Sequence, residues 1–271
     1  PDRTTFSKFI ARIAGNPLRL TLVFSMLVVE LIKAGIIIGK EIAIDATPIR
    51  AWCRPPSKGS RKRRADKDAK WGYKRKNKRE IIWIFGYKVH VVIDVLSELP
   101  IAFFVTAANR NEGKVFKVLL KAIASYGLAI EKVLADAAYD FNWIRKKIIK
   151  VLKAIPLISL NPRNCKGNSE RERKKRRDEN LRRWHKKEGL EAFYIPHRSR
   201  KYKGIFKNRS ASERNHSNGK GQLQLDHLRF RGLEKATVHV ALCLTAELVV
   251  ALTAARVGRP DLIRCSTCFT A

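Results

Sequence analysis

Two short apolar runs each close on an aspartate, and that pattern constrains what the chain can fold into. In Ile42-Ala-Ile44-Asp45, isoleucines alternate with Ala43 at the period-two spacing of a strand, and Pro48 predicts its stop. Ile130-Glu-Lys-Val-Leu-Ala-Asp136 reads the same way. A strand end presents its side chain at the edge of a core. If the two strands are neighbours in one sheet, two carboxylates meet there. Taken singly, Asp45 also fits an ordinary turn with Thr47.

The segments between complete an alternating α/β pattern. Residues 5–34 predict two short helices broken at Gly15-Asn-Pro17. Residues 81–93 and 100–106 are rich in β-branched and aromatic side chains, and Asp94 lies in the hairpin connection between them. His90, within the first of these strands, suits either a DNA contact or a strand-pair interior. A helix is expected over roughly 114–125, and after Ala137-Ala-Tyr139-Asp140 another runs to about Leu152, with Asp140 reading as its N-cap and as a rival to Asp136. A short strand covers 154–160. Residues 161–205 form a polar insertion with Arg171-Glu-Arg-Lys-Lys-Arg-Arg177 and Trp184, and a long apolar helix follows at 233–255.

Just after the insertion, Glu213 stands in a basic setting. On one continuous helix Phe206, Arg209, Glu213 and Lys220 share a face, since offsets of seven residues return to within about 20° of the starting direction. A competing explanation is a capping box, in which Ser210-Ala-Ser-Glu213 bonds Glu213 back to the Ser210 backbone.

The chain carries 57 Lys and Arg against 24 Asp and Glu, a net charge of +33, which calls for a polyanionic partner. Residues 54–80 hold thirteen cations, including Arg61, Lys62, Arg63 and Arg64, with Trp71 and Tyr73 interleaved. That mixture suits phosphate contact plus base stacking, and its lack of apolar period predicts a loop that is mobile without ligand. Five scattered cysteines argue against a secreted disulfide framework, and Cys265-Ser-Thr-Cys268 lacks the second pair a structural zinc needs. Charges at Arg19, Glu30, Lys33 and Glu247 argue against membrane spans in the two apolar stretches. No charged n-region with a cleavage site opens the chain, so no signal peptide is expected.

Three converging carboxylates repel one another unless cations join them, and oxygen ligands favour Mg²⁺ or Mn²⁺. Two such ions activate a hydroxyl and stabilise the leaving oxygen of a phosphodiester. The element order resembles the ribonuclease-H-like fold: a mixed sheet flanked by helices, with a basic insertion before the last acid-bearing helix. The local sequences resemble insertion-sequence DDE transposases of the group with a Tyr-x2-Arg-x3-Glu-x6-Lys pattern. Here it stands as Phe206-x2-Arg209-x3-Glu213-x6-Lys220, with Phe replacing Tyr. Ile44-Asp45-Ala-Thr47, Gly86-Tyr-Lys-Val-His90, Leu99-Pro-Ile, Thr106-Ala-Ala-Asn109, Ala135-Asp136-Ala-Ala-Tyr139-Asp140 and Pro1-Asp-Arg-Thr-Thr-Phe6 resemble its other segments in order.

That resemblance implies Asp45, Asp136 and Glu213 as a catalytic triad holding two divalent ions, Mg²⁺ or Mn²⁺. It implies cleavage at transposon ends followed by strand transfer into target DNA, with Arg209 and Lys220 on phosphates and an insertion aromatic, here Trp184, receiving a flipped base. Double-stranded DNA would be the partner, with two copies paired on DNA ends, and the setting cytoplasmic. The expected organisation is a helical lead-in (1–38), a catalytic domain (39–255) with insertion 161–205, and a tail (256–271). A same-fold nuclease and a non-catalytic basic DNA-binding protein are the alternatives.

Overall fold

β1 (Glu41–Arg50) is the strand on which the sheet assembles, in a computed structural model that describes residues 2–55, 66–75 and 80–268. Its first half pairs in parallel with β5 (Lys132–Ala135), from Glu41 opposite Lys132 to Ile44 opposite Ala135. On its other edge it pairs antiparallel with β3 (Ile81–Asp94), from Ile42 opposite Asp94 to Arg50 opposite Gly86. β6 (Ile155–Ile158) extends the parallel side beyond β5. β2 (Lys70–Arg75) and β4 (Pro100–Ala107) both pair with β3, giving six strands in the order β2-β3-β1-β5-β6 with β4 also on β3. This is the mixed sheet that the ribonuclease-H-like reading expects.

Three local expectations change. Pro48 does not end β1, and Asp45 lies mid-strand. Pro48 is tolerated because its carbonyl accepts from Lys220 Nζ at 3.2 Å, so its missing N–H also faces away from β3, where no strand pairs. Part of the predicted basic loop is strand: β2 pairs with β3 from Lys70 opposite Gly86 to Arg75 opposite Ile81. Before it, Asp66 is buried, accepting from Tyr87 Oη at 2.7 Å and from the Gly232 N–H at 3.1 Å. The expected DNA contacts Arg61, Lys62, Arg63 and Arg64 lie outside the described residues.

Asp94 accepts from the Ser97 N–H at 2.8 Å and the Gly39 N–H at 3.0 Å, the turn role expected for it. His90 is fully buried beside Thr106 Oγ1, 3.0 Å away; burial, then the nearby Lys88 charge, holds its pKa down to about 3. It therefore belongs to the strand pair.

α1 (Arg3–Ala14), α2 (Leu18–Lys33) and α8 (Leu233–Arg256) lie together, and α3 (Glu112–Ala124) packs on β4. Phe24, Val28 and Leu31 of α2 and Val240, Leu244 and Leu248 of α8 enter the same core as the strands. By length and composition α8 could cross a membrane, but its buried face belongs to this core. α4 (Asn142–Lys147) continues into a wide π turn at Ile148–Leu152. The insertion is helical: α5 (Glu170–Lys187) and α6 (Arg200–Phe206), followed by a 3-10 turn at Lys207–Arg209 and then α7 (Ser210–Gly221). Cys265 and Cys268 form a disulfide in the tail.

α7 meets α8 through polar groups. Asn215 Nδ2 donates to Glu247 Oε2 at 2.9 Å and to the Glu98 carbonyl at 3.1 Å. Glu247 is buried, its Oε1 has no hydrogen-bond partner among the described residues, and burial pushes its pKa up to about 8. The folded protein therefore retains a proton that the unfolded chain releases, and stability falls as pH rises from about 4.5 to about 8. Glu247→Gln should remove that slope. Thermal melts of the two proteins should converge near pH 4.5 and separate toward pH 8, the variant melting higher.

Candidate active site

The β1–β5 register builds the first half of the site. Ile44 and Ala135 are the last paired residues, so Asp45 and Asp136 are the next positions on two adjacent parallel strands. Beyond them β5 ends and β1 continues alone against β3. Asp136 turns the chain into a 3-10 turn, its Oδ1 accepting from the Ala138 N–H at 2.9 Å. Burial, then the charge of Asp45, pushes the Asp136 pKa up to about 6, against relief from the Ala138 N–H. Two carboxylates are thus held side by side, and the Asp45 charge works against ionisation of Asp136.

α7 supplies the other half. Its buried face is Ala211, Ser212, Asn215, His216 and Gly219, which is small and polar rather than apolar. Ser212 Oγ lies 3.3 Å from Asp45 Oδ2, and His216 Nε2 lies 3.8 Å from the same oxygen. Arg209 reaches both acids, with Nη1 3.5 Å from Asp45 Oδ2 and Nη2 2.5 Å from Glu213 Oε1. The capping box does not form. Ser210 is already helical, the N-cap position falls on Arg209, and Ser210 Oγ accepts instead from Arg214 Nη1 at 2.8 Å. Glu213 is thus directed by a cation and not by the backbone.

Asp45, Asp136, Arg209, Glu213 and Lys220 all line one cavity of about 580 Å³. Glu112, Lys88 and His216 line it too, and sequence reasoning did not single them out for it. Glu112 is paired with Lys88 at 2.5 Å, and its charge also raises Asp136. The signal for His216 was present: it follows Glu213 by three residues, one helical turn away on the same side. Phe206 does not continue the α7 face. It ends α6, stacks on Tyr202 with centroids 5.2 Å apart, and packs against the core. Trp184 is half-buried on α5 and packs edge-on against His185, and it does not line this cavity.

The all-oxygen donor set fits a hard divalent cation in kind. Asp45 and Asp136 are adjacent and mutually repelling, which suits such an ion. Glu213 is 59% exposed and engaged by Arg209. Among the described residues no group of three or more acids, histidines or cysteines is drawn together tightly enough to hold a metal. Arg209 engages the Oε1 oxygen of Glu213.

Asp140, the sequence rival of Asp136, does not N-cap α4, where Phe141 holds that position, and does not line the cavity. It is fully buried and binds two guanidinium groups: Arg145 Nη2 at 2.9 Å, and Arg177 through Nε and Nη2 at 3.0 Å each. Burial raises its pKa, but Arg177 and Arg145 outweigh that and hold it below the usual carboxylate range. Arg145 also donates to the Pro156 and Ile158 carbonyls of β6, and Arg177 belongs to α5. Asp140 therefore ties the insertion to the sheet edge beside Asp136.

Most of this arrangement falls inside a family match. A family model described as a transposase DDE domain matches residues 39–248. No curated protein matches the chain.

Breaking the Asp140 cluster strands two buried cations. Asp140→Ala should cost about 3–5 kcal/mol of stability in denaturant unfolding, whereas Asp94→Asn, which keeps the turn geometry, should cost less.

Proposed function

The chain belongs to the DDE transposase family, and from that premise we propose that it cuts phosphodiester bonds at transposon ends and joins the freed 3′-hydroxyls to target DNA. The observation that supports this reading is that Asp45, Asp136 and Glu213 line one cavity together with Arg209 and Lys220. The net charge of +33 supports a double-stranded DNA partner.

Asp45, Asp136 and Glu213 would hold two divalent ions, Mg²⁺ or Mn²⁺, which supply Lewis acidity at the phosphorus and a more acidic attacking hydroxyl. Arg209, which bridges Asp45 and Glu213, would offer its guanidinium to a phosphate oxygen. Lys220, anchored on the Pro48 carbonyl, sets a second positive charge at the same mouth. Ser212, whose hydroxyl donates to the Arg209 carbonyl at 2.8 Å, also lies 3.3 Å from Asp45 Oδ2. The protein's contribution to in-line transfer is then positioning and charge neutralisation. We place Trp184 in contact with DNA as part of the insertion and outside the reacting centre. Two copies act on paired DNA ends, in the cytoplasm.

A non-catalytic DNA-binding role is the second reading, favoured by the Arg209–Glu213 ion pair, which already occupies one oxygen of the third acid. Strand cleavage and joining on a labelled duplex carrying the element's terminal sequences, with Mg²⁺ or Mn²⁺, separates the two. Asp45→Asn, Asp136→Asn and Glu213→Gln should each lower product formation by at least about a thousandfold while retaining duplex binding. If these variants cut like the parent, the triad assignment is wrong. A parent that binds ends and never cuts supports the second reading.

Metal binding has its own readout. Asp136→Asn removes the carboxylate repulsion, so without metal it should melt above the parent at pH 7. Millimolar Mn²⁺ should raise the parent's melting temperature and shift the variant much less. Equal shifts in both proteins would count against Asp136 as a ligand.

A further inference from the structure

β2 and β3 expose aromatic rings where most strands would bury or omit them. Trp71 is 50% exposed, Tyr73 53% and Trp83 60%. The register sets Trp71 opposite Phe85 and Tyr73 opposite Trp83. Each cross-strand pair is in ring contact, with centroids 5.6 Å and 5.7 Å apart. Phe85 packs against the core, so the ladder is anchored at one corner and open on the other three.

The ladder is held in place by close backbone packing. A Cβ on Gly72 would lie 2.5 Å from the Ala108 carbonyl oxygen, so β2 sits directly against the end of β4. Gly72 and Tyr73 also line the cavity that holds Asp45, Asp136 and Glu213. The aromatic surface thus begins at the wall of the proposed reaction site.

We infer that the Trp71, Tyr73 and Trp83 ladder is a stacking platform for unpaired bases of the DNA strand that enters or leaves the catalytic cavity. The inference rests on the DNA-processing reading above and adds a subsite to it. Charge favours this occupant over a second copy of the chain. β2 opens on exposed Lys70, a cation that discourages edge-to-edge pairing with an identical strand and suits a phosphate backbone. Exposed Lys70 and Arg50 flank Gly86 on the two neighbouring strands at the base of the ladder. Every base has a π face, so stacking here would accept unpaired nucleotides with little regard to sequence.

The test compares binding of the full chain to a blunt duplex and to the same duplex with a six-thymidine single-stranded extension, by fluorescence anisotropy without divalent metal. The parent should bind the extended duplex more tightly. Trp71→Ala and Trp83→Ala should each lose about 5- to 100-fold of affinity for the extended duplex and leave blunt-duplex affinity unchanged. Trp83→Phe keeps a ring and should retain most of the gain, which separates stacking from loss of fold. An extension that adds nothing in the parent, or a gain that survives both alanine variants, overturns the platform while leaving the DNA reading intact. Alanine variants that shift the association state in sedimentation and keep the gain would make the ladder an interface between copies and overturn it as well. A parent that binds neither duplex removes the DNA reading, and the platform with it.

Discussion

The parallel pairing of β1 with β5 is the constraint on which the rest of the site depends. Its register ends at Ile44 and Ala135, and the next residue on each strand is an aspartate. Two carboxylates are thereby placed side by side at the point where the sheet opens. The pairing is held by apolar burial on both faces of the sheet, since Ile42, Ile44, Val133 and Leu134 are each at most 1% exposed. Burial of that order, about 25 cal/mol per Å² of apolar surface, is what allows the fold to tolerate a repelling pair at the strand ends. A one-residue slip in register would turn one aspartate to the opposite face.

Cations then manage the negative charge, and each does so locally. Arg209 spans Asp45 and Glu213, Lys88 pairs with Glu112, and Arg145 and Arg177 enclose Asp140. These pairs divide into two kinds. The Asp140 cluster is dry and serves the scaffold, joining insertion and sheet. The Arg209 pair is open to the cavity on the Glu213 side, so exchange of one charged partner for another costs less there. A strongly basic chain can therefore keep a cluster of carboxylates in one cavity by pairing them locally.

Much of the fold was legible because its elements carry strong periodic signals. The two lead-in helices with their break at Gly15-Asn-Pro17, the β3–β4 hairpin around Asp94 and the apolar α8 all stand close to where spacing and turn chemistry place them. Three features were hidden, each for a physical reason. β2 carries alternating aromatics inside a run of lysines and arginines, so its charge masked its period. Pro48 reads as a strand stop, yet sits where β1 has a single partner and no ladder bond is lost. Asp140 has the spacing of an N-cap, but Arg145 on the next helix and Arg177 on the insertion claim it, and a contact 37 residues away leaves no local trace.

The sequence by itself determined the alternation of strands and helices, the two aspartates that close apolar runs, the spacing of Arg209, Glu213 and Lys220, and the charge that demands an anionic partner. These are properties of composition and short-range order, and they survive without coordinates. Only the tertiary structure decided that Asp45 and Asp136 are adjacent, that Glu213 turns to Arg209 and not to the Ser210 backbone, that Lys88, Glu112 and His216 share their cavity, and that Trp71, Tyr73 and Trp83 form an exposed ladder beside it. Those outcomes depend on strand register and helix docking, which are set by long-range packing that no local pattern encodes.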